Sequence, residues 1–298
     1  MPPLEIHPLS DLRAEAAQLL AERFARQRAA EPLLPEIGDF EAHLPEAGHV
    51  ATRGGEAVAY LAGAVNDKEQ MARWSFASHA AREPEALRDL FAVQAGEFRV
   101  ERFMTFVPAT DPELRDVWFR LAFGCQAVSA VRDVEPAEPV DFGGAIRACT
   151  PDDLEAVIDL DLELLEYQTL TPSFSDFSVP SREELGAQEL AEMWDGTCWP
   201  FVAERAGRII GLVLLYPRPE GDLRVPANNI DLAFAATRTD VRSSGVGLAL
   251  YAHSMQWAHE HGYRSMTTDW RAVNLLSSRF WPRRGFRSQY LRLYRRVP

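Results

Sequence analysis

Two halves of this 298-residue chain repeat one order of local patterns. Each half opens with a short strand pattern and a helix-start signal, continues with a strand, a glycine turn and a second strand, and later carries Trp and Phe five residues apart. The paired segments are Ile6–Leu12 and Ile146–Leu154, His49–Tyr60 and Phe201–Gly211, and Trp118–Phe123 and Trp281–Phe286. Three matches in one order indicate a duplicated plan.

A segment rich in proline, glycine and acid, Val134–Gly144, separates the halves and is typical of a linker. The chain is also longer than one typical hydrophobic core requires. We therefore predict two α/β domains, residues 1–138 and residues 139–298, each with mixed strand and helix patterns.

The second half contains a loop that the first half lacks. Arg242-Ser243-Ser244-Gly245-Val246-Gly247 lies between the strand pattern Asn228–Thr237 and the helix pattern Val246–His261. A helix N-terminus has unpaired N–H groups and a partial positive charge, and glycines without Cβ let a phosphate approach the backbone. Arg242 adds a cation. The loop thus predicts a phosphate site, and the alternative is an ordinary strand-to-helix turn with packing glycines.

Other phosphate-binding motifs do not fit this loop. The spacing G-x-G-x-x-G of dinucleotide folds is absent, and no lysine follows the glycines as in a Walker loop. The elements after the helix are a strand pattern Tyr263–Thr268, then Asn274, then Trp281–Phe286, and a last strand pattern Arg287–Arg296. This succession resembles the GNAT superfamily of N-acetyltransferases, well in the second half and more loosely in the first.

The resemblance implies a fold, an acyl donor and a reaction. Each domain is expected to have a central mixed, mostly antiparallel sheet flanked by helices. The second domain is expected to bind acetyl-CoA and to transfer the acetyl group to a primary amine, of a small molecule, by direct attack on the thioester. The positions implied to contact the cofactor are Ala235, Ala236, Thr237, Arg242, Ser243, Ser244, Gly245, Val246, Gly247, Asn274 and Trp281.

Catalytic residues are less clearly implied. Asp231 lies where some family members carry a catalytic glutamate, so it is our candidate general base; the alternative is a strand-end carboxylate that caps or pairs with an arginine. Trp281 replaces the tyrosine that protonates the thiolate in many relatives, and an indole is no acid at neutral pH. Either Ser277, Ser278, Tyr290 or a water replaces it, or the step is not acid-catalysed.

The acceptor site is expected at the segment Leu165–Phe177 and its surroundings. The aromatic residues that we expect to line an apolar cleft for an amine are Tyr167, Phe174, Phe177, Trp194 and Trp199. The alternative is that these side chains only cover the sheet.

In the first half the loop corresponding to residues 242–247 lies near His79–Pro84. It has no glycine, and Glu83 repels a phosphate. Asp111 occupies the position in the first half that corresponds to Asn274, and Ala122 occupies the position that corresponds to Gly285. We therefore interpret the first domain as a degenerate GNAT-like copy that supports the second, with one cofactor per chain.

Composition limits the partners. The net charge of −13, from 44 acidic and 31 basic residues, argues against nucleic acid and anionic membranes. Cys125, Cys149 and Cys198 match no metal or redox spacing, and no metal site is expected. No apolar run is long enough for a membrane helix, and Met1–Ile6 does not start a secretory signal, so we expect a cytoplasmic monomer or homodimer.

Two alternative functions stay open: a non-catalytic acyl-CoA-binding regulatory protein, and a protein amino-group acetyltransferase.

Overall fold

The computed structural model describes residues 2–66, 68, 70–175, 178–219 and 221–297. Its strands are β1 (Leu4–Pro8), β2 (His49–Arg53), β3 (Glu56–Leu61), β4 (Ala64–Asn66), β5 (Met71–Trp74), β6 (His79–Ala81), β7 (Arg102–Pro108), β8 (Gly124–Asp133), β9 (Ala145–Ala148), β10 (Trp199–Arg205), β11 (Arg208–Pro217), β12 (Asn229–Thr237), β13 (Ser265–Arg271) and β14 (Arg287–Arg296). Its α-helices are α1 (Arg13–Ala30), α2 (Ala86–Glu97), α3 (Pro112–Arg120), α4 (Leu154–Thr169), α5 (Arg182–Glu192), α6 (Val246–Glu260) and α7 (Ser277–Phe280).

The chain forms two compact units that are not continuous in sequence. The first unit comprises Met1–Ser129, Gly221–Arg224 and Ser288–Pro298, and the second comprises Ala130–Glu220 and Val225–Arg287. The chain thus first changes unit between residues 129 and 130, and the domain boundary expected between residues 138 and 139 stays a prediction. The sequence did not predict that the C-terminal strand lies in the first unit.

The first unit contains two groups of strands. The order β1-β2-β3-β6 is antiparallel throughout, and it includes the predicted hairpin β2–β3, which is confirmed. In the group β4-β5-β7-β14, the pair β5–β7 is parallel and the others are antiparallel. Aromatic side chains fill the core between this group and helices α2 and α3, with Trp74, Phe91, Phe103, Trp118 and Phe123 in mutual contact.

In the second unit, the strands follow the order β9-β10-β11-β12-β13. The pairs from β9 to β12 are antiparallel, the predicted hairpin β10–β11 is confirmed, and β12 pairs with β13 in parallel. Helix α4 packs on Leu212 of β11 and α6 packs on the adjacent Gly211. Because successive strand residues point to opposite faces, these helices cover the two faces of the sheet. The predicted mixed sheet flanked by helices is therefore confirmed.

Strand β12 contains an irregularity near its middle. Leu214 of β11 pairs with Phe234, whereas the next residue, Leu215, pairs with Leu232. Ala233 is thus an extra residue, a β-bulge, and a bulge locally interrupts the ladder and bends the strand.

Neither a membrane-crossing helix nor a metal-binding cluster is present among the described residues. Within the part of the chain that the structure describes, no helix is both long and apolar enough to cross a membrane. The described residues also contain no group of three or more His, Cys, Asp or Glu side chains placed to hold a metal ion.

Candidate functional site

The loop between β12 and α6 positions an exposed helix N-terminus. Gly245 is the N-cap of α6 with φ +89°, a left-handed conformation that favours glycine, and Ser243 also has a positive φ of 66°. Among the described residues, no side chain caps this helix by a hydrogen bond. Its first N–H groups and the positive end of its dipole are therefore available to an anion.

A cavity of about 450 Å³ adjoins this loop, and we call it the loop cavity. Its walls come from α4, β12, the loop itself, α6 and the segment after β13. The predicted cofactor positions that line it are Ala235, Ala236, Thr237, Arg242, Ser243, Gly245, Gly247, Asn274 and Trp281. Ser244 and Val246 do not line it: the Ser244 hydroxyl donates to the Val241 carbonyl at 2.7 Å, and Val246 is buried in the core.

One edge of β12 is open along this cavity. The parallel pairing of β12 with β13 joins Asn229–Leu232 to Ser265–Thr268. Beyond the bulge at Ala233, residues 235–237 pair with Gly211–Val213 of β11 on their other edge. The two central strands therefore separate after Leu232, and backbone N–H and C=O groups of residues 235–237 are available to an extended ligand.

Two arginines stand over aromatic rings at the cavity wall. The Arg242 guanidinium lies 4.6 Å from the centre of the Tyr167 ring, and that of Arg284 lies 3.9 Å from the centre of the Phe280 ring. Stacking holds each planar cation in one orientation, which favours a fixed phosphate contact. The sequence predicted Arg242, but no sequence signal indicated that Tyr167 supports it, because the two residues lie on separate elements.

Asn274 shapes the turn at the far wall. Its side-chain oxygen accepts from the backbone N–H groups of Leu276 at 3.0 Å and Ser277 at 3.4 Å. Trp281 lines the cavity and packs against Phe280 and Phe286, with ring centres 4.8 Å and 5.4 Å away. Both residues are mostly buried, so they form a rigid wall.

The side chains considered as proton donors to the thiolate occupy different places. Ser277 lines the loop cavity, and Ser278 does not. Tyr290 is fully buried in the first unit, where its hydroxyl donates to Gln27 at 3.0 Å. Because its hydroxyl is committed to that core, Tyr290 is not available as a proton donor to the thiolate.

Asp231 is a buried, paired carboxylate. It is 1% exposed, and it accepts from the Arg218 guanidinium at 2.8 Å and from the Thr267 hydroxyl at 2.5 Å. Burial raises the pKa of Asp231, while the contacts with Arg218 and Thr267 act in the opposite direction. The side chain lies next to the bulge but does not line the loop cavity. The pairing with an arginine that we considered as an alternative is present, and the role as general base stays a prediction.

The aromatic residues expected to form one acceptor cleft are not brought together. Tyr167 lies under Arg242, and Phe174 is 70% exposed. The Trp194 indole N–H donates to the carbonyl of Cys149 at 3.4 Å, and Trp199 packs on Trp257. Phe177 lies outside the described residues. This expectation was wrong for the described members, since aromatic character alone does not encode which side of an element faces the sheet.

A comparison with protein families bears directly on this site. Residues 164–286 match the model of the Acetyltransferase (GNAT) family, and they include the loop, the bulged strand and the wall from Asn274 to Trp281. This part of the chain is a GNAT acetyltransferase domain. The resemblance that the sequence motifs indicated is thereby confirmed.

Solved structures extend the comparison to the whole chain. A GCN5-related N-acetyltransferase from Sphaerobacter thermophilus is 16% identical, with a TM-score of 0.60, and the match covers 100% of this chain and 98% of that one. A tandem GNAT protein from the clavulanic acid biosynthesis pathway is 16% identical, with a TM-score of 0.51, covering 98% of this chain and 97% of that one. A glucosamine N-acetyltransferase region of a fungal multi-domain GH3 β-N-acetylglucosaminidase is 13% identical, with a TM-score of 0.55, covering 99% of this chain and 38% of that one.

At these identities the solved structures show similarity of fold. The full-length match to a tandem GNAT protein supports the duplicated plan that was inferred from the sequence. No curated protein sequence matches this chain.

Proposed function

We propose that the GNAT domain transfers the acetyl group of acetyl-CoA to a primary amine of a small molecule. The observation that carries the proposal is the loop cavity, which joins an uncapped helix N-terminus, Arg242 and the open edge of β12 in one space. A pyrophosphate needs the first two features, and a pantetheine arm with its amides needs the third.

The donor would be held by named groups. The N–H groups at the start of α6 and the Arg242 guanidinium would bind the pyrophosphate. The backbone of residues 235–237 would pair with the pantetheine amides, and Asn274 and Trp281 would form the opposite wall. Gly247 faces this space with only the Phe280 ring and the Thr237 methyl 3.8 Å from where a Cβ would lie, so the absence of a side chain leaves room for a ligand.

The reaction would be a direct displacement. The amine nitrogen bonds to the thioester carbonyl carbon, the carbon–sulfur bond breaks, and the thiolate leaves. The amine proton passes to Asp231 through water, and a backbone N–H at the Ala233 bulge meets the oxyanion. Burial shifts the pKa of Asp231 upward, which makes its carboxylate a stronger base than an exposed aspartate. The thiolate takes a proton from water or from Ser277.

A small-molecule acceptor is preferred for two reasons. The fungal fold neighbour is described as a glucosamine N-acetyltransferase region, and another neighbour belongs to a biosynthetic pathway. The net charge of −13 also favours a cationic amine over an anionic acceptor. Glucosamine and aliphatic diamines are accordingly the first acceptors to assay.

One observation favours a second candidate, a non-catalytic acyl-CoA-binding regulatory protein. The usual tyrosine acid is replaced by Trp281, and Asp231 is tied to Arg218 and Thr267. A domain with this site would still bind the donor but would not turn it over.

Thiol release from acetyl-CoA in the presence of an amine panel separates the two candidates. The transferase proposal expects acceptor-dependent release, and it expects Asp231→Asn to lower kcat by about 100-fold, the usual size of general-base catalysis. Asp195→Asn, a change of the same charge at an exposed site, is the control and should be neutral. Donor binding without thiol release from any amine would replace the transferase by the regulatory protein, and full activity of Asp231→Asn across the pH range would remove Asp231 as the base.

A further inference from the structure

The first unit contains a cavity of its own, of about 330 Å³, which we call the α1 cavity. Its lining residues come from the second half of α1, the end of β6, and the segment from the end of β7 to the start of α3. Within its unit it stands where the loop cavity stands in the second unit, between the ends of two strands and beside the first helix. The copy without the glycine loop has therefore kept a cavity at this place.

Arg23 is the most unusual residue of the α1 cavity. Its side chain is 1% exposed, and its two terminal nitrogens donate to the carbonyls of His79 and Phe76, each at 2.5 Å. The Nε–H has no partner among the described residues, and no ion pair within the described ranges includes Arg23. A buried guanidinium without a carboxylate is costly unless an anion compensates it.

Gln27 supplies a second unused donor one helical turn further along α1. Its side-chain oxygen accepts from the Tyr290 hydroxyl at 3.0 Å, which fixes the orientation of the amide. The amide nitrogen has no partner in the described part of the chain, although Gln27 is 2% exposed. Two buried side chains on one face of α1 thus each have one nitrogen, Nε of Arg23 and Nε2 of Gln27, whose N–H has no acceptor among the described residues.

The other charged side chains that line the α1 cavity are those of Arg26, Arg82, Asp111 and Glu113, and Glu113 is exposed. Arg82 is paired with Glu22 at 2.5 Å. Asp111 accepts from the N–H of Leu114 at 3.0 Å and lies 3.9 Å from Arg26. Among the described residues, no carboxylate forms an ion pair with Arg23. Burial and Arg23 together lower the pKa of the adjacent His79 to about 3, so that histidine is neutral and adds no charge.

The α1 cavity is not suited to a pyrophosphate. The segment that leads into α2 carries Glu83, which is paired with Arg53 at 2.9 Å, followed by Pro84. No glycine there permits a close backbone approach. The unused donors are instead on side chains, and they require a compact acceptor.

We propose that the first unit binds a small oxyanion, a carboxylate or a phosphate group, in the α1 cavity through Arg23 and Gln27. The site is separate from the acetyl-CoA site and does not depend on the proposed transferase activity. A carboxylate or phosphate oxygen would accept from the unused N–H of each side chain and neutralise the buried guanidinium.

Calorimetric titration of the full-length protein with acetate, succinate and inorganic phosphate, each separately, tests the proposal. One site is expected in the α1 cavity, and it should persist in Gly245→Glu, which removes the anion site proposed at the start of α6. The anion that saturates the α1 cavity distinguishes carboxylate from phosphate. Gln27→Glu keeps the acceptor for Tyr290 but places a negative charge where the free N–H was, and it should weaken binding by about 10-fold or more. Gln18→Glu makes the same change at an exposed position of the same helix and should leave binding intact.

Two further variants complete the experiment. If Gln27→Glu does not fold, Thr110→Glu places the same charge at the exposed rim of the cavity and should also weaken binding. Gly245→Glu, in the other unit, should leave oxyanion binding in the α1 cavity unchanged. The proposal is overturned if none of the three anions binds, if Gln27→Glu and Thr110→Glu both bind them as wild type does, or if Gly245→Glu alone abolishes binding.

Discussion

The two halves of the chain have similar local plans but differ in one loop. In the second unit, Gly245 adopts a left-handed conformation at an uncapped helix start, and the adjoining cavity is lined by backbone and by Arg242. In the first unit, Glu83 and Pro84 occupy the corresponding loop, and the cavity is lined by side chains of α1 and of two loops. We therefore expect acetyl-CoA binding to depend on a few residues of one loop, because the surrounding strands and helices are similar in the two halves.

The helix starts of the two halves also differ. In the second half, Asp153 accepts from the backbone N–H of Thr150 at 2.9 Å and from both terminal nitrogens of Arg147, at 2.7 and 2.8 Å. In the first half, Asp11 accepts from the neighbouring Ser10 hydroxyl at the surface. The same sequence signal thus became a bidentate, buried cap in one copy and a surface contact in the other.

The largest effect is expected from Gly245→Glu. A glutamate at φ +89° strains the loop and puts a negative charge at the helix end that is proposed to bind phosphate. Affinity for acetyl-CoA, measured by calorimetry, should fall by about 100-fold or more, equivalent to about 3 kcal/mol. Gly262→Glu is the matched control, because Gly262 also has a positive φ, of 78°, but lies outside the loop cavity. Retention of tight binding by Gly245→Glu would refute the assignment of this loop.

The next effect compares two arginines in corresponding loops. Arg242→Ala removes the cation that stacks on Tyr167, and acetyl-CoA should bind about 10-fold more weakly, since a charge-assisted hydrogen bond contributes about 1.5–3 kcal/mol. Arg82→Ala in the first unit removes an arginine that is paired with Glu22 and should leave the affinity unchanged. Equal losses in both variants, measured by titration, would contradict the difference between the copies.

The helix caps should differ in their contribution to stability. The hydrogen bonds from Arg147 lower the pKa of Asp153 to about 2. Because the carboxyl pKa is lower in the folded state than in the unfolded state, the ionised carboxylate stabilises the fold above the unfolded-state pKa. This contribution to stability is lost as the pH falls towards 2. Asp153→Asn should therefore reduce the free energy of unfolding by about 2 kcal/mol at pH 7, with a smaller difference from wild type at pH 3.

Denaturant unfolding at the two pH values measures this effect. Asp11→Asn is the control in the other half and should change stability by less than about 0.5 kcal/mol, as expected for a surface site. A loss for Asp153→Asn that is independent of pH would show that the cap acts without its charge.

The smallest effect concerns the turn after the last helix of each half. Ala122 has φ +64°, and its counterpart Gly285 has φ +79°. A residue with Cβ is strained in this region by about 1–2 kcal/mol, which the greater chain entropy of glycine partly offsets. Ala122→Gly should raise the free energy of unfolding by about 0.5 kcal/mol, and Gly285→Ala should lower it by about 1 kcal/mol. Shifts of the same sign in urea unfolding would contradict the equivalence of the two turns.

The sequence predicted the features that depend on residues close to one another in the chain. The hairpins β2–β3 and β10–β11 and the glycine loop were all found, because periodicity, turn residues and helix signals act over a few residues. The partner of β14 was not found, because the strand signal in Arg287–Arg296 does not specify that β7 lies beside it. For the same reason the contact of Tyr290 with Gln27 was missed.

The same difference between local and long-range features applies to the candidate site. Residues of the loop and of β12 line the cavity because one continuous segment carries them. Tyr167 stacks under Arg242 and Arg218 pairs with Asp231, so each contact joins side chains from separate elements. The sequence did not indicate which residues of these elements would face each other. The sequence therefore predicted the types of the elements but not the side-chain contacts between distant elements.

The stoichiometry of acetyl-CoA binding distinguishes one cofactor-binding copy per chain from two. Calorimetric titration of the wild-type protein should give one site per chain, because one copy has the loop with Gly245 and Arg242 and the other has Glu83 and Pro84 in its place. The same titration of Gly245→Glu should lose that site. Two sites per chain, or one site that survives Gly245→Glu, would contradict the account.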